Sequence, residues 1–225
     1  MEDLIGAYYE VSSAQRQNAY ERGEIYWAPS LYLERDLTLV RPFGSDAWAG
    51  EIDGWEFVAA GQADLRPPPF EHPPLWSVRL ETREEYLRLK AKQRPSILLS
   101  SAPEPWTYRS GETRESVYLM LPMFSFHDDD PAEFRLRVRA LQYRELFYLP
   151  SDESLRMVEG FTRFDRAHVV PRNWLQGHRV RLSDDAMLVL DEWFKFFILG
   201  TADDWLLEYR ADLGRAVDRL LARAG

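Results

Sequence analysis

Two apolar runs in the middle of the chain limit what it can fold into more than any other feature. The first, Ser96-Ile97-Leu98-Leu99-Ser100, follows directly on Arg94-Pro95. The second, Val117-Tyr118-Leu119-Met120-Leu121-Pro122-Met123-Phe124-Ser125-Phe126, leads into His127. A polar link, 101–116, with Pro103, Pro105 and Gly111, separates them. Short apolar runs bounded by Pro, Gly and Ser predict strands, here a pair near the middle of a sheet. That pairing can bring Arg94, Ser125 and His127 to one sheet edge.

The pattern on either side predicts an α+β chain. Leu4, Ile5, Tyr8, Tyr9 and Tyr20 fall at mixed helical spacing, so 2–20 is expected to form a peripheral helix. Arg22-Gly23 reads as a turn, and Glu24–Ala28 as a strand of β-formers stopped by Pro29. Val40–Pro42, Trp55–Val58 and Trp76–Leu80 are candidate short strands. Thr82 followed by Glu85 has the spacing of a capping box, which predicts a short helix ending before Pro95. Glu145–Leu149 reads as a strand, and Asp152–Met157 as a turn or short helix. The uneven spacing of Phe161, Phe164 and Val169 predicts a bend near 163–166. Ser183 and Gly200 bracket an amphipathic helix, and Thr201 opens a last one to Ala224.

Composition narrows the chemistry. The chain has 225 residues, enough for one domain with decorations, and no cysteine, which excludes disulfides, thiol nucleophiles and Cys-ligated metals. The formal charge of −9 weighs against a general nucleic-acid binder. Local charge differs, because 135–181 holds ten Arg against five acids. That stretch reads either as an RNA surface or as solvated faces balanced by carboxylates. The acidic N-terminus lacks an apolar run of signal length, and 186–199 is interrupted by Asp191, Glu192 and Lys195, so a soluble cytoplasmic protein without a membrane span is expected.

Two stretches carry competing readings. Arg66-Pro67-Pro68-Pro69-Phe70-Glu71-His72-Pro73-Pro74 predicts extended polyproline II, either a docking strip or a rigid connector. His127-Asp128-Asp129-Asp130-Pro131 looks like a metal site but fits a helix start better, with Asp130 as N-cap, Pro131 first and Glu133 third. Hard cations need more oxygen ligands than this stretch supplies, so no metal and no cofactor is expected.

Several segments, taken in order, resemble the PemK/MazF family of toxin endoribonucleases. Arg22-Gly23-Glu24-Ile25-Tyr26-Trp27 is similar to the family's opening strand. Lys92-Gln93-Arg94-Pro95-Ser96-Ile97-Leu98-Leu99-Ser100 and Val117–Ser125 are similar to its next two strands. Gly160–Leu175 and Arg181-Leu182-Ser183-Asp184-Asp185-Ala186 resemble the approach to its last helix. The resemblance covers about half of the chain. It implies an SH3-like small antiparallel β-barrel with flanking helices, a homodimer, and an antitoxin partner. It also implies a single domain, 1–225, with an insertion at 28–92 and a helical extension at 201–225.

The implied chemistry is metal-independent cleavage of single-stranded RNA, the ribose 2′-hydroxyl attacking the adjacent phosphate. A preorganised arginine suits the developing phosphorane charge, and Arg94 falls on the family's arginine. The family's threonine falls on Phe124, and Ser125, one residue on, points to the opposite face of a regular strand. The catalytic candidates are therefore Arg94, Ser125 and His127. Lys92, Arg163, Arg166 and His168 are candidate RNA-binding residues, with the two histidines as neutral-pH proton carriers. Two functions follow: a ribonuclease toxin, or a catalytically degenerate barrel that binds protein or nucleic acid.

Overall fold

The computed structural model describes residues 4–12, 20–32, 37–43, 52–61, 75, 78–81, 83–101, 106–111, 113–114 and 116–224. In chain order the strands are β1 (Tyr9–Val11), β2 (Glu24–Tyr32), β3 (Thr38–Phe43), β4 (Gly54–Ala59), β5 (Tyr86–Arg88), β6 (Lys90–Leu98), β7 (Trp106–Thr107), β8 (Thr113–Arg114), β9 (Val117–Ser125), β10 (Leu146–Leu149), β11 (Gly160–Arg163), β12 (His168–Pro171) and β13 (Gln176–Leu182). The helices are α1 (Ala132–Arg139), α2 (Asp184–Leu199) and α3 (Asp204–Ala224). The chain divides into two compact units, Met1–Ser30 with Gln93–Gly225, and Leu31–Lys92.

The larger unit is built on an eight-stranded sheet of order β1-β13-β2-β6-β9-β11-β10, with β12 also on β9. The two apolar runs are its centre. They pair antiparallel, Ser96 opposite Pro122 and Leu98 opposite Met120. Ile97, Leu98, Met120 and Leu121 have no solvent exposure, as runs buried on both faces require. Each such side chain contributes about 1.5–3 kcal/mol of burial.

β11 and β12 lie end to end along β9. Thr162 faces Met123, whereas His168 faces Met120. The 3-10 turn Phe164–Arg166 joins them at the expected bend. The architecture is α+β and its assigned strand pairs are antiparallel; no closed barrel forms among the described residues.

α2 behaves as its sequence directs. Ser183 Oγ accepts the Ala186 N–H, and Gly200 ends the helix in the left-handed conformation. Trp193 is fully buried and donates Nε1–H to the Leu146 carbonyl at 2.8 Å. Arg144 reaches the other end, donating to the Phe196 and Phe197 carbonyls at 2.9 Å each. α3 is tied in by Arg210, which donates to the carbonyls of Leu141 and Gln142, and by buried Leu206 and Val217.

The smaller unit carries a three-stranded antiparallel sheet, β4-β3-β5. Arg41 pairs with Glu85 at 2.7 Å across it.

Five expectations are corrected. Residues 9–11 form an edge strand on β13, not part of a helix, because the N–H and C=O groups of 180–182 offer them a ladder. β2 continues through Pro29 to Tyr32; Pro29 lies beyond the last β13 partner, Gln176 opposite Trp27, so its missing N–H breaks no bond there. The stretch after Thr82 is strand: Tyr86–Arg88 pair with β3, which overrides the local capping signal. Helix α1 starts at Ala132 with Pro131 as its cap, and the Asp130 carboxylate instead accepts the His127 N–H at 2.8 Å. Leu75 and Leu80 bridge across a turn where one strand was expected. The Pro-rich segment 66–74 lies outside the described residues.

Candidate functional site

Arg94 lies on β6 just before the chain enters the core, and its carbonyl accepts a 3.3 Å bond from buried Ser96. Its guanidinium sits 4.4 Å above the Phe124 ring of the neighbouring strand. Phe124 in turn stacks on Phe161 of β11, at 5.9 Å and 15°. The cation is thus fixed on an aromatic ladder rather than left on a mobile stem.

Phe124 and Ser125 are consecutive, yet both line one groove of about 250 Å³. Its other walls include Trp27 of β2, Pro95, Met123, Arg156, Met157 and Val158. Ser125 is exposed at the end of β9, opposite Gly160. A Cβ on Gly160 would stand 2.0 Å from the Phe124 carbonyl oxygen, so the groove floor closes only over a glycine. No carboxylate lines the groove among the described residues.

One wall is the connection 152–157. Asp152 and Met157 exchange two backbone bonds, 2.9 and 2.8 Å, closing a four-residue loop. The Asp152 carboxylate accepts Ser154 Oγ at 2.7 Å and the Leu155 N–H at 3.1 Å, and these bonds hold it below the usual aspartate range. Tyr9 donates its hydroxyl to the Pro150 carbonyl just upstream, and burial pushes that phenol's pKa up. Arg156 closes the loop at φ 57°, a left-handed position uncommon outside glycine.

The remaining candidates are placed elsewhere. His127 is exposed on the β9–α1 connection and is not among the groove-lining residues. Lys92 is exposed on β6, in the smaller unit. Arg163 is held by Asp165 through two bonds, 3.0 and 2.6 Å, which push its pKa up further. Arg166 is 3.8 Å from the same carboxylate, its side chain largely buried. His168 places Nδ1 2.9 Å from the Arg166 carbonyl and Nε2 2.7 Å from the Pro29 carbonyl, a clasp between β12 and β2.

The arginine-rich stretch is mostly engaged inward. Arg137 pairs with Glu133 and Asp218, Arg139 with Glu159, and Arg181 with Asp184. Arg135 bonds the His127 carbonyl and covers Phe126, and Arg172 lies over Tyr20. Most of these arginines therefore serve carboxylates, carbonyls and rings of the fold.

A second polar cluster lies on β2. Buried Glu24 accepts from Ser12 Oγ, the Glu21 N–H and the Tyr26 hydroxyl, whose pKa is pushed up by burial and by Glu24. The cluster satisfies its own carboxylate and is read as structural.

The groove thus combines a fixed cation, a second cation, two aromatic walls and one hydroxyl. That set can bind an anion bearing a flat ring. Sequence reasoning singled out Arg94 and Ser125 as candidates and noted Phe124 at the family's threonine position; it did not single out Trp27, and it named Arg156 only within the arginine-rich stretch 135–181. Trp27 is 39% exposed despite its β-strand setting, which only the structure reveals. Among the described residues no group of three or more His, Asp or Glu side chains is arranged to hold a metal, and no described helix is long and apolar enough to cross a membrane. Comparisons with family models, with curated proteins and with solved structures give no match.

Proposed function

We propose that this chain is a divergent PemK/MazF-like protein that acts on single-stranded RNA, as the toxin of a toxin–antitoxin pair, and that the groove around Arg94 is its working site. The observation that carries this reading is the placement of Arg94 and Ser125 in one groove, with the guanidinium held on Phe124. In the reaction the ribose 2′-oxygen bonds to the adjacent phosphorus and the P–O5′ bond breaks. A 2′,3′-cyclic phosphate and a 5′-hydroxyl result. Arg94 stabilises the extra negative charge on the phosphorane, and Ser125 donates to a non-bridging oxygen. The 2′-oxygen loses one proton and O5′ gains one. No histidine is among the described residues that line the groove, and solvent water carries both transfers.

A second reading is favoured by Phe124, which occupies the position of the family's threonine. In it the groove holds RNA without cutting it. Both readings are tested by one experiment. Wild-type and Arg94→Ala chains are expressed in a growth assay, and the purified proteins are incubated with a long RNA in EDTA. Cleavage and growth arrest that depend on Arg94 support the enzyme. Intact RNA, bound in an Arg94-dependent way, supports the binding module. Neither binding nor cleavage at high protein concentration overturns both. An SH3-like barrel, a homodimer and an antitoxin partner belong to the same proposal.

A further inference from the structure

Arg156 differs from its neighbours in charge placement. Every other arginine of 135–181 with a described side chain is held by a carboxylate, a carbonyl oxygen or an aromatic ring. Among the described residues, the Arg156 guanidinium has no such partner; it is exposed and lines the Arg94 groove. Its backbone is left-handed at φ 57°, a costly setting for a long side chain, and the loop that imposes it is closed by two backbone bonds and braced by Asp152. Trp27, which lines the same groove with Phe124 and Pro95, leaves 39% of its surface in solvent.

We infer that Arg156 and Trp27 form a base-and-phosphate subsite for single-stranded RNA, Arg156 gripping a backbone phosphate and Trp27 stacking on a base next to the phosphate handled at Arg94. The inference rests on the RNA reading above and adds to it two residues and a division of contacts between phosphate and base. Charge decides the occupant. The groove has two cations and no carboxylate among its described lining residues, on a chain of net charge −9, so it is a place where a polyanion is not repelled. Aromatic walls beside those cations fit bases rather than an acidic peptide, because every base offers a π-face and a carboxylate side chain does not. A duplex keeps its bases stacked inside and cannot use Trp27 in this way.

The test is fluorescence anisotropy with a 5′-labelled single-stranded RNA decamer, run in EDTA at several salt concentrations. Arg156→Asn removes the charge while tolerating the left-handed backbone, and Arg156→Lys keeps the charge. Trp27→Ala removes the platform, and Trp27→Phe keeps a ring. Urea melts confirm that each variant folds. Arg156→Asn is expected to weaken binding about tenfold and to reduce the slope of log affinity against log salt by about 0.7, the value for one phosphate on a single strand. Arg156→Lys should restore most of the slope. Trp27→Ala should weaken binding about tenfold with the slope unchanged, and Trp27→Phe should recover much of it.

If the decamer binds wild type in an Arg94-dependent way but ignores Arg156 and Trp27, this inference falls and the RNA reading stands. If a folded wild type binds no decamer, both fall. If adenosine monophosphate or a duplex binds as tightly as the decamer, the subsite is not one for a single strand and the inference is overturned.

Discussion

At the scale of single residues, the balance at position 124 decides what the groove can do. Phe124 gives Arg94 a surface to lie on and removes a hydroxyl from the place where the resemblance expects one. Phe124→Thr is expected to lower stability by about 1–2 kcal/mol, since a half-buried ring stacked on Phe161 is lost. On the enzyme reading the same change raises RNA cleavage; gel assays and urea melts on one preparation report both effects. Gly160→Ala should be worse for the fold, costing about 1–3 kcal/mol or more, because the added methyl meets a backbone oxygen that cannot move alone. Asp152 gives a pH test of the Arg156 loop. Its folded-state pKa is depressed by the bonds from Ser154 and Leu155, so the loop gains stability above the unfolded aspartate value and loses it as pH falls through the folded one. Amide protection at 153–157, the exchange rate corrected for its intrinsic pH dependence, should therefore fall in acid, and Asp152→Asn should flatten that dependence.

At the scale of elements, local signals held where burial and caps agreed. The two central strands were legible because their residues have nowhere to face but the core. α2 was legible because Ser183 and Gly200 mark its ends. The bend at 164–166 was legible from broken alternation. What failed depended on distant partners. Nothing local in Tyr9–Val11 announces that 180–182 will pair with it, and the capping pattern at Thr82 carries no record of β3. Arg156 was hidden for a related reason, since a left-handed arginine has no sequence signature comparable to glycine's. α2 also yields a prediction. Arg144→Ala removes two bonds to its last carbonyls and the contact with the Phe196 ring, and should cost about 1–2 kcal/mol by chemical denaturation.

At the scale of the molecule, the larger unit keeps its first and last thirds together through Arg22, which donates to the Leu99 carbonyl at 2.6 Å and pairs with Asp191 of α2. α3 completes the same core, so Leu206→Ala, at a fully buried site, is expected to cost about 2–5 kcal/mol and to lower the thermal midpoint in calorimetry. The topology has one more consequence. The Gly23 N–H bonds the Leu98 carbonyl, so the start of β2 faces the end of β6, and the far ends of these neighbouring strands are where the chain leaves for and returns from 31–92. In engineering language, β2 and β6 are paired neighbours, and 31–92 is a cassette spliced into the chain between them. A chain in which Ser30 is joined to Gln93 through a two-residue Asn-Gly turn should keep a cooperative melt, and that slot would accept other cassettes on the same terms.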